Sequence, residues 1–150
     1  MMIKTHLAIT AFFILLFFPL VEYKTAFVIV ALIATFIPDI DSRFSTIGKN
    51  KINRLFQWLT KHRGVIHSFT FLMVLTLLLV LFIPILSLGF FLGYGVHLLA
   101  DSFTLNGIRP FWPSKMSISG RLSTGRKLEK ALFFTFIITD LLLLITRFSV

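Results

Sequence analysis

Five apolar segments occupy most of this chain, and they restrict it to a helical protein embedded in a membrane. They lie at about residues 6–21, 24–38, 65–86, 87–103 and 131–147. Hydrophobic residues make up 57% of the sequence, which is above the share found in ordinary soluble domains. Several segments are shorter than the roughly 20 residues of a full membrane span. We therefore predict an all-α integral membrane bundle of about five short helices, forming one domain over residues 1–150.

The basic residues predict how this bundle is oriented. Most of them lie in two connections, the first with Arg43, Lys49, Lys51, Arg54, Lys61 and Arg63, and the second with Arg109, Lys115, Arg121, Arg126, Lys127 and Lys130. Because loops rich in lysine and arginine stay on the cytoplasmic side, both loops and the N-terminus are predicted to be cytoplasmic and the C-terminus to lie outside. The apolar start lacks the small-residue cleavage pattern of a signal peptide, so we expect an uncleaved first span of a multi-pass protein in the plasma or inner membrane.

Seven polar side chains are the exception to this apolar composition: His6, Asp39, Asp41, His62, His67, His97 and Asp101. They include all four histidines and half of the six acidic residues. The chain has no cysteine, so a metal ion must be bound by nitrogen and oxygen. Imidazole and carboxylate together favour zinc, manganese or iron. On the predicted topology all seven lie at the cytoplasmic ends of four helices, where we expect them to hold one or two divalent ions, with zinc the first choice.

The spacing within the fourth segment favours two ligands on one helix. His97 and Asp101 are four residues apart, so they share a helix face and can offer one ion a nitrogen and an oxygen. Gly89 and Gly93 continue this stripe at the same interval. Such a pattern of small residues lets a neighbouring helix approach closely.

A proline precedes the two aspartates of the second segment. Pro38 disfavours helical geometry in the residue before it, which predicts that the helix ends there. Asp39 and Asp41 would then lie in an extended or turning exit, where either carboxylate can serve as a ligand.

The third segment begins with two histidines in different settings. His62 and His67 are five residues apart, which would separate them by about 140° on a continuous helix. Gly64 indicates the start of the helix, so His67 is predicted to be a ligand in its first turn. His62 and Arg63 would lie in the mouth of the loop, where the arginine can bind a pair of phosphate oxygens.

Each of these residues also has an ordinary structural explanation. A single histidine near a helix end commonly hydrogen-bonds the backbone or points towards lipid headgroups, and an aspartate at a helix exit commonly caps or turns the chain. The complete set favours a metal site because unpaired charge is costly in lipid. Asp140 stands apart in the middle of the last segment, with Lys24, Arg147 or a neighbouring helix as alternative partners.

The motifs occur in a fixed order along the chain: His6, Pro38-Asp39-Ile40-Asp41-Ser42, His62-Arg63-Gly64-Val65-Ile66-His67-Ser68, His97-Leu98-Leu99-Ala100-Asp101, Gly107-Ile108-Arg109-Pro110 and Trp112-Pro113. In combination they resemble the YdjM-type family of membrane-bound metal-dependent hydrolases, and the resemblance covers nearly the whole chain. The order of histidines and aspartates is also similar to the metal core of zinc-dependent phospholipase C and the related single-strand nucleases.

That second resemblance implies a division of roles. Asp101 would bridge two ions, His67 and His97 would hold one of them together with Asp39 or Asp41, and His6 would hold the second. No histidine follows Asp101, so the later cluster that completes a three-metal site is missing and two ions are the upper limit.

These ligands predict hydrolytic chemistry. A bound divalent ion acidifies water and polarises an ester or phosphoester oxygen. Whichever of Asp39 and Asp41 is not a ligand could act as the general base, and His62 could protonate the leaving group.

The loops predict the substrate class. In residues 49–61, apolar side chains recur at helical spacing among basic ones, which indicates an interfacial amphipathic helix. This helix would hold the protein to anionic membrane lipid, or would act as a lid that feeds lipid phosphates to the site. Arg63, Arg109 and Trp112 are the predicted substrate-binding residues, and a phospholipid or isoprenoid phosphate is the predicted substrate.

Two other function classes are open to the same sequence. Nucleic acid is a weaker substrate class, because the loops are short and their aromatic residues are explained by the membrane interface. A metal-binding membrane scaffold or divalent-cation carrier could use the same ligands, although carriers more often place ligands near the bilayer midplane.

Overall fold

The computed structural model describes residues 1–44 and 63–148, with side chains from 1–39 and 65–147. Within these ranges the chain forms five helices of 14 to 22 residues: α1 (Ile3–Phe17), α2 (Lys24–Phe44), α4 (Phe69–Phe82), α5 (Pro84–Ser102) and α6 (Lys127–Phe148). A 3-10 turn (Phe18–Leu20) follows α1, and a four-residue helix, α3 (Arg63–Ile66), precedes α4. The described residues contain no β-strand, only the isolated bridges Thr104–Leu122 and Ile108–Ile118. The predicted all-helical architecture is confirmed over the described residues.

The prediction that α2 ends at Pro38 was wrong. The helix continues through the proline to Phe44, so Asp39 and Asp41 are helical residues. A proline in a membrane helix is tolerated when neighbouring helices satisfy the backbone groups that it disturbs. Pro38 lacks the N–H that would bond the carbonyl of Ala34, four residues earlier. The next carbonyl, that of Thr35, accepts a hydrogen bond from His97 of α5.

Two further helix boundaries differ from the prediction. The break between α4 and α5 lies at Ile83, not near residue 86, and Pro84 takes the first helical position, where its missing N–H is no loss. Helix α4 begins after Ser68, whose hydroxyl accepts a hydrogen bond from the backbone N–H of Phe71 at 3.1 Å. His67 therefore precedes this cap and does not lie in the first turn of the helix.

The closest helix pair of the bundle is α2 with α5. A Cβ atom on Gly89 would lie 2.8 Å from the carbonyl oxygen of Phe27, and one on Gly93 would overlap the carbonyl group of Ala31. The predicted close approach along the glycine stripe is thus observed. Helix α1 packs against α2 and α5, α4 packs against α5, and α6 packs against α1.

Large apolar side chains cover the outward surface of α4 and α6. On α4, Leu77 and Phe82 are 59% and 77% exposed, and on α6, Ile138 and Leu142 are both 58% exposed. Among the described residues, two helices, Ile3–Leu20 and Pro84–Ser102, are long and apolar enough to cross a membrane, and α4 is a shorter apolar helix. Water-soluble monomers rarely expose contiguous apolar surface of this kind, so the pattern favours a surface that faces lipid.

The connection between α5 and α6 folds back onto the start of α4. The carbonyl of Pro110 accepts hydrogen bonds from the backbone N–H groups of Phe69 at 2.9 Å and Thr70 at 3.3 Å. These N–H groups belong to the first turn of α4, and the first turn of a helix has no carbonyl within the helix to accept from them. The contact places the second basic loop at the same end of the bundle as the start of α4.

Candidate metal centre

Four helix ends meet at one end of the bundle, and each brings polar side chains. His6 lies in the first turns of α1, Asp39 near the end of α2, His67 immediately before α4, and His97 and Asp101 in the last turns of α5. The structure brings these five residues together. His6 and His97 are fully buried.

The two buried histidines are arranged around a single carboxylate. The rings of His6 and His97 stack in parallel, with centroids 3.9 Å apart and an angle of 10° between their planes. Nε2 of His6 lies 3.2 Å from Oδ1 of Asp101, and Nε2 of His97 lies 3.6 Å from Oδ2 of the same residue. Each imidazole therefore faces a different oxygen of Asp101.

The tautomer of His97 follows from its other contact. Nδ1 lies 2.9 Å from the carbonyl oxygen of Thr35. Because a carbonyl only accepts hydrogen bonds, Nδ1 must donate, and in the neutral ring the lone pair is then on Nε2. Metal-binding histidines are typically held in this way by a hydrogen bond from the other ring nitrogen. The Nε2 atom also lies 3.9 Å from Oδ1 of Asp39.

Two overlapping groups of three residues could hold a metal ion. They are His6 with Asp39 and His97, and His67 with His97 and Asp101; in each group the ligand atoms lie within 4.8 Å of one another. Both groups include His97, whose Nδ1 donates to Thr35. Since only Nε2 of that ring remains for a ligand bond, His97 can serve one ion, and the two groups cannot each bind an ion through it.

Several ring nitrogens at this site are buried without a hydrogen bond. Among the described residues, neither nitrogen of His6 nor Nε2 of His97 has a hydrogen-bond partner. The 3.2 Å approach of His6 Nε2 to Asp101 is close enough for an ion pair but lacks the direction of a hydrogen bond. An unsatisfied buried polar group costs about 1–3 kcal/mol. A divalent ion would satisfy one nitrogen of each ring, so the residues present fit a metal with nitrogen and oxygen ligands.

Comparison with known proteins identifies a family of membrane proteins. Residues 1–148 match the family described as YdjM inner membrane protein. The chain belongs to this family. It is also 29% identical over 90 residues to the uncharacterized protein YvsG of Bacillus subtilis (strain 168), a match that covers 57% of this chain and 56% of YvsG, or about half the length of that relative. No solved structure matches the chain.

Three contacts of this YdjM-family chain were not anticipated from its sequence. The α-amino group of Met1 lies 2.6 Å from Oδ1 of Asp101. The backbone N–H of Met2 donates to Oε1 of Glu129 at 2.5 Å, and the other oxygen of Glu129 accepts from the backbone N–H of Gly125. Glu129 is fully buried, and its position in the first turn of α6 is one where an acidic residue commonly satisfies free N–H groups. It fixes Met1 and Met2 beside the cluster of histidines and aspartates.

The other predicted site residues lie either outside the described residues or outside this cluster. The side chains of Asp41, His62 and Arg63 lie outside the described residues, as does the predicted amphipathic helix at 49–61. Arg109 and Trp112 are exposed in the loop between α5 and α6.

Asp140 lies far along α6. Its Oδ1 atom has no hydrogen-bond partner among the described residues, so the structure gives that oxygen none of the partners considered from the sequence.

Proposed function

We propose that this YdjM-family chain is a multi-pass membrane hydrolase that depends on a divalent metal and cleaves a phosphoester or ester of a lipid or isoprenoid phosphate at the cytoplasmic membrane face. The observation that carries the proposal is the pair of stacked, buried histidines whose Nε2 atoms face the two oxygens of Asp101. Apolar packing does not account for that arrangement, whereas ligation of a metal ion would.

The metal would be held at one centre by His97 and Asp101 together with His6, His67 and Asp39. Zinc suits this donor set best, with manganese and iron as alternatives. A divalent ion supplies Lewis acidity, which acidifies water and polarises a phosphoryl or acyl oxygen.

The chain's own residues would perform the remaining steps. The side chain of Asp39 is 32% exposed, compared with 14% for Asp101. It is the more open carboxylate of the pair, so where Asp41 takes its place as a ligand it is suited to accept a proton from water as a general base. Thr35 holds His97 in the required tautomer. From the sequence we assign a second candidate base to Asp41, proton donation to His62, and phosphate binding to Arg63 and Arg109.

The surroundings of the centre support an amphiphilic substrate. The apolar outward surfaces of α4 and α6 suit lipid. The loop that contacts the start of α4 contributes Arg109 and the exposed side chains of Phe111 and Trp112. Arginine with aromatic side chains is typical of the headgroup layer of a membrane. We therefore propose anionic lipid as the environment and a lipid phosphate as the substrate.

A screen of substrates tests this function. The full-length protein, purified in detergent and loaded with zinc or manganese, is incubated with lipid phosphates, phosphodiesters and carboxylic esters, with Asp101→Ala as the inactive control. We expect turnover of an amphiphilic ester in preference to its short-chain soluble analogue, and no turnover by the control. Equal turnover of both analogues would contradict the lipid substrate. Equal turnover by Asp101→Ala would contradict the site.

The second candidate function is that of a metal-binding scaffold or a divalent-cation carrier. The carboxylate of Asp140, within α6 and away from the centre, favours it, since charged groups inside membrane helices often mark ion pathways. Zinc or manganese flux into proteoliposomes that disappears in Asp140→Asn would favour the carrier. Metal binding without turnover or flux would favour the scaffold.

A further inference from the structure

Tyr94 is a buried polar residue beside the metal centre that the proposed chemistry does not use. It lies in α5, three residues before His97, and is 0% exposed. Its ring packs against Phe90 and Phe71, with centroid distances of 5.3 Å and 6.2 Å. The ring is therefore fixed by apolar packing, which leaves the hydroxyl group with a defined direction.

The hydroxyl group of Tyr94 is directed at the segment that carries His67. It donates a hydrogen bond to the carbonyl oxygen of Ile66 at 2.5 Å. That carbonyl belongs to the peptide unit that joins Ile66 to His67. The bond thus connects α5, which supplies His97 and Asp101, to the backbone at His67.

This connection matters because His67 lies between two helices. Helix α3 ends at Ile66 and α4 begins at Phe69. After His67, the Ser68 hydroxyl donates to the carbonyl of Val65 at 2.5 Å and accepts from the N–H of Phe71 at 3.1 Å. Before His67, Tyr94 of α5 holds the carbonyl of Ile66. The His67 ring lies 5.9 Å from the His97 ring, in an edge-to-face arrangement.

We propose that Tyr94 is a positioning residue, whose hydroxyl group holds the His67 backbone so that this histidine can reach the same ion as His97 and Asp101. The inference rests on the proposed metal centre and assigns it a supporting group. Helix α5 would then fix three parts of the site from successive turns: the His67 segment, one imidazole and one carboxylate.

Tyr94→Phe tests this inference because it removes the hydroxyl group and keeps the ring. The matched control is Tyr23→Phe, which removes the same group from the other tyrosine of the chain, 55% exposed. Zinc affinity of the full-length protein in detergent is measured by competition with a chromophoric chelator, and the visible spectrum is recorded with cobalt(II) in place of zinc. We expect Tyr94→Phe to weaken zinc binding about 10-fold, the lower end for groups that support a ligand, and to change the cobalt spectrum. Tyr23→Phe should match the wild type.

A double-mutant cycle separates positioning from general stability. In a His67→Ala background the additional change Tyr94→Phe should have no further effect on zinc affinity, because the residue through which it acts is gone. Ser68→Ala removes the hydrogen bonds that hold the backbone just after His67, and it should also weaken zinc binding only when His67 is present. If Tyr94→Phe does not fold, Ser68→Ala is used to test whether the position of the His67 backbone controls zinc affinity.

Two results would overturn the inference, and they are distinguishable. If the wild type binds zinc and Tyr94→Phe binds it equally well, or loses the same factor with and without His67, then Tyr94 does not position His67 although the metal centre stands. If the wild type binds no divalent ion, the metal centre and the inference both fail.

Discussion

Replacing His97 with alanine is expected to eliminate tight binding of a divalent metal. His97 belongs to both candidate ligand groups, and its Nε2 atom lies within 4 Å of carboxylate oxygens from Asp39 and Asp101. Loss of a supporting group typically costs about 10–100-fold in metal affinity, so loss of this shared ligand should exceed that range. Competition with a chromophoric chelator measures the affinity, and elemental analysis after dialysis measures retained metal.

Two comparisons make the His97→Ala result specific. His62→Ala is expected to retain metal and to lose hydrolysis, because His62 is assigned to proton donation and not to ligation. Thermal unfolding of each variant without metal shows whether the bundle is intact. Retention of both metal and activity in His97→Ala would contradict the site.

Gly93→Ala is expected to produce a large loss of stability at a position outside the candidate metal centre. An added Cβ atom would overlap the carbonyl group of Ala31 across the α2–α5 contact, and backbone cannot move aside as a flexible side chain can. Forcing extra atoms into such a contact costs about 1–3 kcal/mol, and we expect the upper end of that range here. Because α2 would be displaced from α5, the hydrogen bond from His97 to Thr35 should weaken and metal affinity should fall as well.

Gly95→Ala is the matched control on the same helix. Its Cβ atom would meet only the tip of the Leu72 side chain, at 3.4 Å, and alanine favours helix over glycine by about 1 kcal/mol. We therefore expect Gly95→Ala to be neutral or slightly stabilising in thermal unfolding in detergent. Equal effects of the two substitutions would contradict the close crossing at Gly93.

The parts of the structure that follow from local periodicity could be predicted from the sequence. His97 and Asp101 share a helix face, and Gly89 and Gly93 form the contact with a neighbouring helix, because both pairs obey the four-residue interval of a helix. The number of long helices follows from the apolar segments. The meeting of four helix ends was expected from the positions of the polar residues relative to those segments.

The parts that depend on distant contacts could not be predicted. Helix α2 continues past Pro38 because tertiary packing outweighs the local preference, and the sequence alone does not reveal that packing. The hydrogen bond of His97 to Thr35 joins residues 62 positions apart, and that of Met2 to Glu129 spans 127 positions. Such pairs leave no periodic pattern, so the supporting roles of Thr35 and Glu129 emerged only from the structure.

The metal content of the purified protein tests the central claim most directly. The full-length chain is extracted in detergent, saturated with zinc, dialysed against metal-free buffer and analysed for bound metal per chain, alongside His97→Ala. Because His97 has a single nitrogen left for a ligand bond, we predict about one tightly held ion per wild-type chain and none in the variant. A wild-type chain that retains no zinc, manganese or iron, or a variant that retains as much as the wild type, would contradict the proposed metal centre.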